Sequence, residues 1–150
     1  MSDEWPELCE YQSEGEYRTH FERVYCKGTI STHDEIEVRF SKKNFDHCFY
    51  ESSQRDRNKD QFSWQRADRI DWIKATLQSP QAILKQGWDR DRRRNTCESR
   101  VALVKDEYVV VIRLTSEKEA FFVTAYVADD PYSIQRIKGS PRWKNPYTKA

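Results

Sequence analysis

Three strand-patterned segments follow one another closely in the C-terminal half: "RVALVK" at 100–105, "YVVVIRL" at 108–114 and "EAFFVTAYV" at 119–127. Only Asp106 and Glu107 separate the first two, a spacing that joins neighbouring strands by a tight turn. "TSEKE" leads into the third. Strands joined this tightly run antiparallel, because a parallel pair needs a crossover of a dozen residues or more. The segment 100–127 is therefore expected to be an antiparallel meander. Strict alternation in the last strand puts Phe121, Val123, Ala125 and Val127 on one side, and Ala120, Phe122, Thr124 and Tyr126 on the other. Two neighbouring hydroxyls then stand on one face of an otherwise apolar strand.

Upstream, the pattern changes to helical. "SWQRADRIDWIKATLQSP" places Ala67, Ile70, Ile73 and Leu77 on one stripe, with Ser63 to cap it and Pro80 to end it. Arg66 projects onto that apolar stripe and Arg69 lies at its edge. A buried arginine needs a carboxylate or a cleft. "SKKNFDHCFYES" reads as a short helix with Ser41 as its cap, and "DEIEVRFS" as a half-buried strand. "EYRTHFERVYCKGTIS" fits a strand or a short helix, and residues 1–16 read as a loosely ordered acidic arm. "AILKQGWDRDRRRNTCES" reads as a strand running into a basic loop. Helices segregated from a run of strands predict an α+β fold, with N-terminal helices on one face of an antiparallel sheet of about four strands. The expected organisation is residues 1–34 as an arm or an extra strand or helix, a domain over 35–143, and a tail over 144–150.

Composition narrows the function classes. Aromatic residues make up 13% of the 150 residues, which argues against disorder, and the 4 glycines provide no phosphate-cradling loop or dinucleotide fingerprint. The net charge of +1 hides segregation: "WDRDRRR" holds four arginines, and the last 17 residues hold five basic and no acidic ones. Cys9, Cys26, Cys48 and Cys97 form no CxxC pair, and His20, His33 and His47 lie on separate segments, so no metal constellation and no cofactor is expected. Without an apolar leader or a membrane-length apolar run, reduced thiols and a cytoplasmic location are expected, with no membrane partner.

Polar groups that interrupt apolar patterns carry the remaining signal: His47, Arg66, Thr124 and Tyr126. Arginine binds phosphoryl oxygens bidentately, histidine exchanges protons near neutral pH, and hydroxyls hold phosphate oxygens or donate a proton. Together they suit a phosphodiester. RNA brings its own nucleophile, the 2′-OH, and requires no metal. Each residue also has a plainer reading. His47 lies opposite Phe45 and Phe49 on its helix and suits a solvated surface equally well. Arg66 can pair with an acid at the core edge. Thr and Tyr are favoured in strands anyway. A separate possibility is a binding module, in which Tyr132, Trp143 and Tyr147 stack bases among Arg136, Lys138, Arg142, Lys144 and Lys149. A third is a protein-interaction or immunity-type protein whose charged faces recognise a partner.

In order, "FSKKNFDHCFYES", "RADRIDWIKATLQSP" and "FFVTAYVADD" resemble the phage- and toxin-associated nucleases of the barnase/EndoU/colicin/RelE-like superfamily over residues 35–143. The resemblance implies N-terminal helices on a four-stranded antiparallel sheet. It also implies a metal-independent, toxin-like endoribonuclease that acts on RNA, with tRNA a candidate target, and leaves a 2′,3′-cyclic phosphate. A neutralising antitoxin or immunity protein would accompany it. On matching positions, His47 would be the general acid/base and Arg66 would stabilise the transition state. Thr124 and Tyr126 would position the phosphate or assist proton transfer. Arg69, Arg100, Arg92 and Arg93 would contact the substrate backbone. The near-neutral charge departs from the basic character of many such toxins. The site requires Thr124 and Tyr126 to face the helix that carries Arg66.

Overall fold

The computed structural model describes residues 5–51, 61–89, 94–128, 135 and 137–139, and for 86–89 and 94–100 the backbone alone. The first helix, α1 (Glu14–Val24), starts where Ser13 Oγ accepts from the Glu16 amide at 3.2 Å. Glu14 and Glu16 complement the positive end of its dipole. Tyr17 and Phe21, one turn apart, are fully buried. A hairpin follows, β1 (Thr29–Ser31) and β2 (Glu37–Arg39), in which Ile30 pairs with Val38.

Helix α2 (Lys43–Phe49) buries Phe45, Cys48 and Phe49. Its N-cap position is Lys42, with no side-chain cap; Ser41 Oγ instead accepts from the Lys43 amide at 3.1 Å. A small ribbon, β3 (Tyr50–Glu51) with β4 (Gln61–Phe62), leads into the expected long helix. That helix is broken at Arg69 into α3 (Trp64–Asp68) and α4 (Ile70–Gln78), with Ser63 capping the first part as expected. Ala67, Ile70, Ile73 and Leu77 are all fully buried.

The remaining strands are β5 (Ile83–Asp89), β6 (Arg94–Lys105), β7 (Tyr108–Leu114) and β8 (Glu119–Val127). They form the predicted meander, extended by β5 at one end. Asp106 turns the β6–β7 corner at φ 54°, a left-handed conformation that Asp tolerates. The α+β class is as expected, but the sheet has six strands rather than about four, in the order β1-β2-β8-β7-β6-β5. It is also mixed, because β2 runs parallel to β8, pairing Val38 with Ala120. The two helix-bearing segments between β2 and the meander supply the crossover that a parallel pair needs.

The buried residues of α1, α2, α3 and α4 share one core with Val101, Leu103, Val110, Ile112, Phe122 and Ala125 of the sheet. The opposite face carries a smaller cluster of Ala102, Val104, Val109 and Ala128, with Val111, Tyr126 and Ile137 packed beside it. Residues 5–13 are not a loose arm. Trp5 stacks on Trp72 with ring centroids 4.3 Å apart, and its indole nitrogen donates to Asp106 at 2.9 Å. Within residues 5–34 the chain forms helix α1 and strand β1. Among the described residues no helix is long and apolar enough to cross a membrane.

Candidate functional site

The last strand departs from strict alternation. Ile112 lies opposite Phe122, but the next residue of β7, Val111, lies opposite Thr124. Val123 is therefore an extra residue in a β-bulge, and a bulge reverses the facing of everything beyond it. Phe122 and Ala125 both join the helix-side core, while Tyr126 packs with the cluster on the far face. Thr124 shares that far face, since it pairs with Val111 as Tyr126 pairs with Val109. The expectation that Thr124 and Tyr126 face the helix carrying Arg66 is not met.

The same bulge lies on the edge that meets α2. Strand β2 pairs with β8 only at Glu119, Ala120 and Phe121. Beyond Phe121, α2 takes the place of a strand along that edge. Asn44 Nδ2 donates to the Phe122 carbonyl at 3.2 Å, and Cys48 Sγ to the Ala125 carbonyl at 3.5 Å. These residues are four apart and so share one side of the helix. Phe45 and Phe49 point into the core, and His47, set opposite them, is exposed.

Arg66 meets the same helix from its other end. Nη1 donates to the Cys48 carbonyl at 3.3 Å, and Nε lies 3.3 Å from Glu51 Oε1. The guanidinium thus satisfies a helix-terminal carbonyl that has no partner within α2. It also pairs with a carboxylate, as the plainer sequence reading had it. Cys48, next to His47 in the chain, accepts from Arg66 through its carbonyl and donates to the Ala125 carbonyl through its sulfur, so it ties α2 to both α3 and β8. The Ala125 side chain lies in the helix-side core, opposite to Tyr126.

The other candidates lie elsewhere. Arg69 donates from Nη1 to the Gln65 carbonyl at 2.8 Å, with its guanidinium 5.1 Å from the Trp72 ring centroid, at the break between α3 and α4. Arg100 pairs along the backbone with Arg113 of β7, and its side chain lies outside the described residues. Arg92 and Arg93 lie outside them altogether, as do the aromatic residues Tyr132, Trp143 and Tyr147. One neighbour of the site, Phe121, carries no signal in the sequence. Phe121 is 46% exposed on the far face, where it borders a cleft of about 250 Å³ with Arg39 and Thr115. The acids Glu37 and Glu119 line the same cleft, so it suits a base or a ribose better than a phosphate.

A second polar cluster joins the N-terminal segment to α1 and α4. His20 Nε2 lies 2.8 Å from Asp71 Oδ1, Tyr11 Oη 2.9 Å from His20 Nδ1, and Cys9 Sγ donates to Asp71 Oδ2 at 3.3 Å. Burial, with the hydrogen bond to Asp71 next, pushes the Cys9 thiol up to about 12. At neutral pH it is protonated, which argues against a thiolate nucleophile there.

No protein-family model, no curated protein and no solved structure matches this chain.

Proposed function

We propose that the protein is a metal-independent endoribonuclease whose reacting phosphate sits at the bulged edge of β8, beside α2. The support for this reading is that Cys48 of α2, next to His47, accepts a hydrogen bond from Arg66 and donates one to the Ala125 carbonyl of β8. The reading moves the phosphate from the helix-side face to the sheet edge where α2 meets β8.

In the reaction, the 2′-oxygen attacks the adjacent phosphorus and loses its proton. The bond from phosphorus to the 5′-oxygen breaks, and that oxygen gains a proton. The products are a 2′,3′-cyclic phosphate and a 5′-hydroxyl. His47, exposed on α2, exchanges one of these protons. The hydroxyls of Thr124 and Tyr126 bond the non-bridging oxygens or supply the second proton. Among the described residues Arg66 has Nε on Glu51 and Nη1 on Cys48, and Nη2 is the group assigned to a phosphate oxygen. A charge-assisted bond to an oxygen gaining charge is the kind of interaction that usually contributes most to catalysis. Exposed Phe121 gives a neighbouring base a ring to stack on. RNA is the partner of this site, with tRNA one form of it, and a toxic nuclease of this kind would need a neutralising protein.

Purified protein incubated with RNA in EDTA should yield 2′,3′-cyclic phosphate ends. His47→Ala should lower the rate by about 10²–10⁴-fold, the usual contribution of a general acid or base. Steeply salt-dependent RNA binding without turnover would instead favour the non-catalytic binding module. A tight protein complex with no RNA affinity would favour the interaction protein.

A further inference from the structure

The Cys9–His20–Asp71 cluster takes no part in that reaction. Its three ligand-type atoms, a thiol sulfur, an imidazole nitrogen and a carboxylate oxygen, all lie within 4.8 Å of one another. They come from three separate segments: His20 is 51 residues from Asp71, and Cys9 is 62. Scattered spacing of this sort leaves no motif in a sequence. We propose that Cys9, His20 and Asp71 bind a single zinc ion, or a cation of similar chemistry, with a fourth coordination position open to the cleft beside His20.

Three features of the geometry point this way. The first is spacing. With metal–ligand bonds of about 2.0–2.3 Å at tetrahedral angles, ligand atoms stand roughly 3.3–3.6 Å apart. Cys9 Sγ lies 3.3 Å from Asp71 Oδ2 and His20 Nε2 2.8 Å from Asp71 Oδ1, on the two oxygens of one carboxylate, and with all three ligand atoms within 4.8 Å of one another small side-chain rotations bring them to one ion. The second is orientation. Tyr11 Oη holds His20 Nδ1 at 2.9 Å, so Nε2 is aimed at Asp71, as an outer partner aims the ring of a metal-bound histidine. Tyr17 Oη shares its one proton between the Cys9 carbonyl, 3.0 Å away, and the Asp68 carboxylate, and so helps to fix the backbone that carries the thiol. The third is access. His20 is 92% buried, yet it borders a cleft of about 510 Å³ that Tyr11, Ser13, Gly15, Glu16, Thr19 and Arg23 also line. A water or a small anion can reach a fourth position from there.

Charge and donor type select the ion. Binding replaces the proton that Cys9 shares with Asp71, so thiolate and carboxylate together neutralise a divalent cation, and His20 adds a neutral nitrogen donor to the bound ion. Sulfur and imidazole donors favour zinc, or cobalt as its probe, over magnesium and calcium. The ion would tie the N-terminal segment to α1 and α4, which Trp5 and the Cys9 amide already hold at Trp72 and Asp68.

The test is titration of the purified full chain with Co²⁺ and then Zn²⁺, followed by absorbance. The account expects one equivalent of Co²⁺ to bind, with a thiolate-to-cobalt band in the near ultraviolet that Zn²⁺ abolishes. Cys9→Ser should lose the band, and Cys26→Ser should keep it. Tyr11→Phe, which touches no metal, should weaken the affinity by about 10–100-fold, as loss of an outer-shell partner does. Asp71→Asn, nearly the same shape, should weaken it as well, with circular dichroism of the metal-free variants confirming that each is folded. No band in the wild-type chain, or a band that survives Cys9→Ser, would overturn the proposal. RNA cleavage in EDTA is indifferent to either result.

Discussion

His47 is exposed, so its replacement by alanine should leave the thermal midpoint within about a degree or two while cleavage falls, because surface substitutions usually stay within about 0.5 kcal/mol. Tyr126→Phe keeps the ring that packs on Val109 and Ala128 and removes only the hydroxyl. It should lower the cleavage rate without loss of fold, and a rate unchanged in both Tyr126→Phe and Thr124→Val would remove the strand from the site. Arg66 and Glu51 make a different kind of test. Their pair is partly exposed, so it contributes little to stability. Glu51→Gln frees the guanidinium from a competing carboxylate and should tighten RNA binding and steepen its salt dependence, read by fluorescence anisotropy over a salt series. Weaker binding in that variant would mean that Arg66 serves only to close the end of α2.

At the scale of elements, α2 acts as a substitute strand. Asn44→Ala removes the bond to the Phe122 carbonyl and should cost about 1 kcal/mol in a denaturant titration. Its effect on cleavage should exceed what that loss explains, since α2 would no longer hold His47 in register with β8. Much of this level was legible in the sequence. The meander followed from period-two runs and a two-residue turn, and the buried stripe Ala67, Ile70, Ile73 and Leu77 from helical spacing. What escaped was local irregularity with a non-local cause. Nothing in "FFVTAYV" marks Val123 as the bulged residue, because the shift is set by pairing with β7, and that one residue decides which way Thr124 and Tyr126 face. The break at Arg69 and the parallel β2–β8 pair were hidden for the same reason: both depend on packing between distant segments. For the proposed site, residue types were readable, but only the fold shows that Cys48 bonds both Arg66 and the Ala125 carbonyl.

For the whole molecule, one core receives contributions from almost every element. Phe21 sits at its centre, in ring contact with Tyr25, Phe40, Phe45 and Phe49. Phe21→Ala should therefore cost about 3–5 kcal/mol. Alkaline stability draws on the buried tyrosines, and most of all on two of them. Burial, first among the causes, raises Tyr25 and Tyr108 far above their ordinary value of 10.0. Both phenols hold their protons in the folded state at pH values where the unfolded chain releases them. Their contribution is complete below pH 10 and is lost as pH rises beyond it. A base titration followed at the phenolate absorbance should show these two ionising only together with unfolding. The central claim is that this fold cleaves RNA without a metal, at the junction of α2 and the bulged edge of β8. The most direct test is the 3′ end chemistry of RNA incubated in EDTA with wild-type protein and with folded His47→Ala. Cyclic phosphate ends from the first and almost none from the second are the result expected. Intact RNA with both, or equal cleavage by both, would contradict the account.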